Sequence, residues 1–197
     1  MKHTRIFLLT AAIALLPQLA FAHEAISERY GSFLGGLTHP VLGLDHFLAM
    51  VSVGIVSAQI GGRAIWTVPV TFVAVMAFGG LLGMADIGLT AVEAGIAISV
   101  LALGCAIAAD SKLPASVVMT AVGFFAIFHG YAHGAEMPTI ATPVTYAAGF
   151  MIGTAALHLL GLLIGDISQR YIRGKLMLRI AGGAMAGVGT FFLANLA

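Results

Sequence analysis

The feature that most constrains this chain is a series of continuous apolar runs, each about twenty residues long. A helix needs about twenty such residues to cross the ~30 Å hydrocarbon core of a bilayer. A water-soluble helix would instead carry polar residues every three or four positions. Only 9% of the 197 residues are charged, against about 25% in a typical soluble domain. We therefore predict an all-α integral membrane protein.

The apolar segments predict a bundle of about six transmembrane helices. They are Pro40–Ile60, Ala64–Met84, Gly88–Ala109, Leu113–Ala132, Pro143–Gly165 and Leu176–Leu196. Strands of a barrel are disfavoured because the apolar residues are continuous and do not alternate with polar ones. Pro40, Pro114 and Pro143 are expected in first helical turns, where a missing N–H is tolerated. Three Gly-x-x-x-Gly pairs would let helices approach closely: Gly79/Gly83, Gly149/Gly153 and Gly183/Gly187.

The amino-terminal region has the features of a secretory signal. Lys2 and Arg5 precede the apolar stretch Ile6–Leu16, and Ala20-Phe21-Ala22 provides small residues for cleavage. We expect residues 1–22 to be a cleaved signal peptide and residues 23–197 to form the six-helix domain. An uncleaved first helix is the alternative, and the short apolar stretch argues against it.

Loop charges predict the orientation independently of the signal. If the mature amino terminus is extracytoplasmic, the first, third and fifth connections lie in the cytoplasm. These connections and the foot of the last span carry Arg63, Lys112, Arg170, Arg173, Lys175 and Arg179. The outer segments contain only Arg29 as a basic residue. This asymmetry is the one that the positive-inside rule predicts, so both ends of the mature chain should be extracytoplasmic.

Ionisable residues within or beside membrane spans are costly and often functional. One group, His39, Asp45 and His46, stands at the start of the first span. His39 and His46 are seven residues apart, so we expect them to project from one face of a helix about two turns apart, with Asp45 beside them. Because this span should run inward, the group is expected near the outer surface.

A second group, His129, His133 and Glu136, ends the fourth span. Their i, i+4, i+7 spacing places all three side chains on one helical stripe. Because the fourth span should run outward, this group is expected at a similar depth to the first. Histidines that only hydrogen-bond a packed bundle are the alternative, but so many ionisable groups on one side favour a functional site.

Imidazole nitrogen and carboxylate oxygen together suit borderline divalent cations such as nickel, cobalt, zinc and ferrous iron. Glu93, near the outer side of the third span, would be protonated or paired there, and a cation site is the obvious partner. His158 lies deeper in the fifth span, where it is either a second station on a pathway or a packing histidine. Tyr131 and Tyr146 are expected to be interfacial aromatics.

Two motifs resemble the signatures of the HupE/UreJ family of nickel permeases. The stretch His39-Pro-Val-Leu-Gly-Leu-Asp45-His46 resembles H-P-x-x-G-x-D-H, and Phe128-His129-Gly130-Tyr131-Ala132-His133-Gly134-Ala135-Glu136 resembles F-H-G-x-A-H-G-x-E. The stretch from Glu93 to Ser99 and the Leu157-His158 pair are also similar to family positions. The resemblance extends over the whole chain.

This resemblance implies a secondary permease that imports nickel, with cobalt as an alternative cargo, for hydrogenase or urease maturation. The expected location is the bacterial inner (cytoplasmic) membrane. The expected metal residues are His39, Asp45, His46, Glu93, His129, His133 and Glu136. We expect no tightly bound cofactor, since the metal is cargo. The expected partners are the cation and the lipid bilayer, without nucleic acid, and the oligomeric state is open.

Two other functions would use the same residues. A membrane-embedded metal enzyme is the first, although His23-Glu24 lacks the second histidine of a zinc-protease motif. A metal-sensing subunit is the second, and it would bind metal without moving it. No Walker motif is present, which argues against ATP hydrolysis by this chain. We therefore expect a transporter and not an enzyme.

Overall fold

The structure, a computed structural model, describes residues 31–196. This part of the chain contains α-helices and no strands, which confirms the predicted all-α fold. The helices are α1 (Ser32–Leu42), α2 (Leu44–Ile60), α3 (Ala64–Met84), α4 (Val92–Ala109), α5 (Ala115–Ala135), α6 (Pro143–Gln169) and α7 (Ile172–Ala194). The predicted signal peptide, residues 1–22, lies outside the described residues.

The five helices from α3 to α7 are each long and apolar enough to cross a membrane. The pair α1 and α2 provides a sixth crossing only if the two are counted as one bent span. Large apolar side chains such as Trp66, Val70 and Ile172 are exposed on the outside of the bundle. Buried positions include histidine, serine and threonine side chains. This arrangement suits a lipid environment and is that of a multi-pass membrane protein.

The prediction of a continuous first helix over Pro40–Ile60 is wrong. The chain bends by 81° between α1 and α2, and Gly43 at the bend is extended, with φ −82° and ψ 116°. A single extended residue interrupts the helical ladder, and a new helix begins at Leu44. Pro40 therefore lies inside α1 and not in a first turn, whereas Pro143 begins α6 as predicted. Pro114 immediately precedes α5.

Glycines bring several pairs of helices into backbone contact, and α2 and α6 are one of them. A Cβ at Gly161 of α6 would collide with the Val51 carbonyl of α2, and one at Gly165 would crowd Ile55. Since both residue numbers rise together, α2 and α6 run in the same direction. Such close approach maximises van der Waals contact, which drives helix association in lipid.

The pair α3 and α5 is packed in the same manner. A Cβ at Gly130 would collide with the Met76 carbonyl, and one at Gly134 with the Gly80 carbonyl. These two helices are therefore also parallel. Of the predicted glycine pairs, Gly79/Gly83 packs on α5 and Gly149/Gly153 on α1. Gly183 and Gly187 have no atom within 4 Å of an added Cβ in the described structure.

Helices α4 and α7 run in opposite directions. Gly189 packs against Leu101, whereas Gly182, earlier in α7, packs against Ala108, later in α4. If α1 and α2 count as the first crossing, α2, α4 and α6 are odd-numbered crossings and α3, α5 and α7 even-numbered ones. The two parallel pairs and the antiparallel pair then fit six crossings of alternating direction. The starts of α2 and α6 and the end of α5 thus lie at one end of the bundle.

Candidate metal site

His39 lies in the last turn of α1 and connects three helices. Its Nδ1 is 3.0 Å from the hydroxyl of Tyr146 on α6, and its Nε2 is 3.3 Å from Glu136 Oε2 at the end of α5. Tyr146 is only 2% exposed, so its side chain packs inside the protein and does not face lipid as an interfacial aromatic would. The bend at Gly43 explains this difference, because it lets α1 lie over the start of α6, where Gly36 packs on the Tyr146 backbone.

His46 is held by the residue that precedes it. The Asp45 carboxylate oxygen Oδ1 accepts the His46 backbone N–H at 2.7 Å and lies 2.9 Å from the ring Nδ1. A ring that donates Nδ1–H to a carboxylate keeps its lone pair on Nε2, the arrangement common in metal-bound histidines. Nε2 is buried and has no hydrogen-bond partner within residues 31–196. This atom is therefore suited to bind a cation.

His129, on α5, is held by a serine of α4. The Ser99 hydroxyl donates to the Ile96 carbonyl at 2.7 Å and lies 2.9 Å from His129 Nε2. A hydroxyl has one hydrogen, so when it donates to Ile96 its oxygen accepts from Nε2–H. The lone pair of the imidazole is then on Nδ1, a buried atom without a hydrogen-bond partner in the described part of the chain. His129 and His46 thus each offer one ring nitrogen, Nδ1 and Nε2 respectively, as a donor atom.

The four imidazoles form a continuous row, which we call the histidine row: His39, His133, His46 and His129. The ring centroids of His133 lie 4.6 Å from those of both His39 and His46. His46 and His129 are 4.9 Å apart. The structure therefore brings together the two groups that the sequence placed on separate helices. All four rings are buried, at 0–6% exposure.

Carboxylates lie at the same end of the bundle as this row. Asp45 and Glu93 line one cavity of about 320 Å³, together with Phe191 and Asn195 near the end of α7. The Glu136 side chain is half exposed. Glu93 is thus placed near the histidine row through Asp45, and three carboxylates lie at the same end of the bundle.

The chain matches the family model described as HupE / UreJ protein over residues 11–192. It is also 45% identical to "Protein HupE" of Rhizobium leguminosarum bv. viciae over 194 residues, which cover 98% of this chain and 99% of that relative. This chain belongs to the HupE/UreJ family. No solved structure matches it. Membership confirms the predicted family and supports a role in metal transport.

In this HupE/UreJ protein the row is not a closed coordination shell. Among residues 31–196, no three histidine, cysteine, aspartate or glutamate side chains are close enough together to hold one ion at once. The seven predicted residues are brought to one end of the bundle as a succession of donors. Their role as metal ligands stays a prediction.

Sequence reasoning missed the residues that hold these rings. The sequence indicates Ser99 only as a position similar to the family, and its contact with His129 joins residues 30 positions apart. Tyr146 and His39 are 107 positions apart. A polar serine in an otherwise apolar span was the available signal for Ser99. For Tyr146 the bend at Gly43 would have had to be known first.

Proposed function

We propose that this HupE/UreJ protein is a secondary permease that imports Ni²⁺, with Co²⁺ as an alternative cargo, across the bacterial inner membrane. The observation that carries the proposal is the histidine row: four buried imidazoles in ring contact within an apolar bundle. Imidazole nitrogen is a preferred ligand of both cations. Buried polar groups in such a bundle are costly, so a row of them is best explained by a cation that binds there.

The carboxylates beside the histidine row support capture of the cation. Glu136 and Asp45 place negative charge beside His39 and His46, and Glu93 shares a cavity with Asp45. Such negative charge raises the local concentration of a divalent cation. The imidazoles then replace part of its hydration shell one ligand at a time, because each ring is in contact with the next.

The loop charges orient the end of the bundle that holds the histidine row toward the outside of the cell. In this orientation residues 1–22 are removed as a signal peptide and residues 23–197 form the permease domain. An inside-negative membrane potential would then favour inward movement by about 2.3 kcal/mol per charge per 100 mV, or about twice that for a divalent cation. No tightly bound cofactor is needed for this mechanism.

Radiolabelled nickel uptake tests the proposal in cells that express the full chain. We expect His46→Ala and His133→Ala each to lower the initial rate by at least about tenfold, because each substitution interrupts the row. Ser57→Ala is the matched control, since Ser57 is a buried polar residue of α2 that bonds only the Val53 carbonyl of its own helix among the described residues. Unchanged uptake in both histidine variants would refute the site.

Nickel flux into proteoliposomes separates a permease from the two alternatives. A metal enzyme or a sensing subunit that uses the same residues would bind nickel in detergent but would not carry it across the bilayer. Flux that depends on His46 supports the permease, and binding without flux contradicts it.

A further inference from the structure

The two parallel helix pairs have the same register of glycine contacts. Between α2 and α6, Gly54 packs on the His158 carbonyl and Gly161 on the Val51 carbonyl. Between α5 and α3, the corresponding contacts are Gly130 on the Met76 carbonyl and Gly79 on the Ile127 carbonyl. The same difference in residue number separates Gly54 from Gly130 and Val51 from Ile127. A second constant difference separates Gly79 from Gly161 and Met76 from His158. The second pair therefore repeats the first, residue by residue.

The contacts between α4 and α7 are symmetric, so that each helix contacts the other in the same manner. Gly104 of α4 faces the Gly182 carbonyl and the Ala186 nitrogen, and Gly182 of α7 faces the Gly104 carbonyl and the Ala108 nitrogen. One offset again relates Gly104 to Gly182 and Ala108 to Ala186. The segment from α2 to α4 thus corresponds to the segment from α5 to α7. Because α2 and α5 cross in opposite directions, the two halves are an inverted repeat about an axis in the membrane plane.

Four buried side chains lie around this axis. The ring of Phe72 is 5.2 Å from that of His158, and the hydroxyl of Thr154 is 3.7 Å from the sulfur of Met76. The offset that relates Met76 to His158 also relates Phe72 to Thr154, so these two contacts are equivalent. In transporters built from inverted repeats, the cargo site lies near the bilayer midplane at the interface of the halves. His158 is at this interface.

His158 does not have the contacts of a packing histidine. It is 1% exposed, and neither ring nitrogen has a hydrogen-bond partner in the part of the chain that the structure describes. Buried polar groups are nearly always hydrogen-bonded, and an exception requires an explanation. A ligand that binds part of the time is such an explanation.

The histidine row points toward His158. His129 is the innermost ring of the row, and its centroid is 5.6 Å from that of Phe72. The ring centroids of Phe72 and His158 are 5.2 Å apart. Phe72 is fully buried. The aromatic ring therefore separates the last imidazole of the row from the imidazole at the axis.

We propose that His158 is a second, central station for a borderline divalent cation, bound through an imidazole nitrogen at the interface of the two inverted halves. The proposal rests on the proposed function, because it assumes that the row delivers a cation. Phe72 must move aside for the cation to pass from His129 to His158. An exchange of conformation between the halves then opens the station toward the opposite side of the membrane.

The test uses the purified full chain in two assays: nickel uptake into proteoliposomes and equilibrium binding of radiolabelled nickel in detergent. His158→Leu keeps the approximate volume of the side chain but removes the ligand. We expect its uptake rate to fall at least about tenfold while nickel binding at the histidine row stays within about twofold of wild type. Ser57→Ala is again the control, with both quantities unchanged.

A ligand exchange keeps the proposal testable if the leucine variant folds poorly. A thiolate prefers softer cations than an imidazole does, so His158→Cys should raise the ratio of cadmium to nickel uptake at least about tenfold. A structural role for His158 predicts no change in this ratio.

Three results would decide against the central station. The first is nickel uptake by His158→Leu within twofold of wild type. The second is a loss of nickel binding in His158→Leu as large as that in His46→Ala. The third is an unchanged ratio of cadmium to nickel uptake in His158→Cys. A wild-type chain that carries no nickel would instead refute the proposed function itself, so the two failures are distinguishable.

Discussion

The two ends of the bundle use polar side chains in opposite ways. At the histidine end, Asp45 and Ser99 each occupy one ring nitrogen of an imidazole and leave the other as a donor atom. At the other end, which we call the amide end (Gln59, Asp110 and Gln169), the amide nitrogens of both glutamines lie 3.0 Å from the Asp110 carboxylate. The amide nitrogen of Gln59 also bonds the Ile107 carbonyl.

The two ends are suited to different tasks. The bonds of the amide end join α2, α4 and α6 to one another through groups that bond each other. This network ties the ends of the three helices together. The histidine end holds its rings in position but keeps lone pairs available, so it is suited to exchange ligands with a cation. The amide end therefore joins three helices, whereas the histidine end has carboxylates beside imidazoles.

Glycine contacts pack the helices together between the two ends of the bundle. We expect the loss of such a contact to have the largest effect on the protein. In Gly54→Leu the new side chain collides with the His158 backbone, so α2 cannot pack on α6. We expect little or no monodisperse protein by size-exclusion chromatography in detergent. Gly183→Leu is the control, because nothing in the described structure lies within 4 Å of a Cβ there. Equal yields from both variants would contradict the packing.

Ser99→Ala tests the histidine end without removing a proposed ligand. It deletes the group that holds Nε2 of His129, so either ring nitrogen can carry the proton. Loss of such a supporting bond typically lowers metal affinity about 10–100-fold. Titration of the purified protein with radiolabelled nickel measures this change. If affinity stays within twofold, the orientation of His129 by Ser99 is unimportant.

Asp110→Ala tests the amide end in the same manner. It removes the acceptor that two glutamine side chains share, and we expect the free energy of unfolding to fall by about 1–3 kcal/mol. Nickel affinity should not change, because the histidine row is at the opposite end of the bundle. Thermal unfolding and nickel titration of the same sample check both statements. A large loss of affinity would contradict the separation of the two ends.

Glu136→Gln should have the smallest effect. Its side chain is half exposed, and exposed charges contribute weakly and are screened by salt. We expect a severalfold rise in the KM for nickel uptake at low ionic strength and a smaller rise at high salt. An effect that salt does not reduce would show that Glu136 acts as a direct ligand.

The parts of the fold that depend on local composition could be predicted from the sequence. The bounds of α3, Ala64–Met84, agree with the apolar run that predicted them. His129 and His133 share a helix, so their common stripe needed only the helical period. The placement of His39 depended instead on Gly43, whose extended conformation leaves no mark in hydropathy.

Contacts between distant segments could not be predicted. The Ser99–His129 and Tyr146–His39 contacts exist only because particular helices pack together. The inverted repeat was equally hidden, since its halves correspond in backbone register while their side chains differ: His158 corresponds to Met76, and Thr154 to Phe72. Helix pairing had to be known before these correspondences could be recognised.

The nickel K-edge X-ray absorption spectrum tests most directly whether the histidine row binds nickel. It is recorded on the purified full chain loaded with one Ni²⁺. We expect multiple scattering from at least two imidazole rings, with one fewer ring in His46→Ala. A coordination shell of oxygen ligands alone, the same in both proteins, would contradict it.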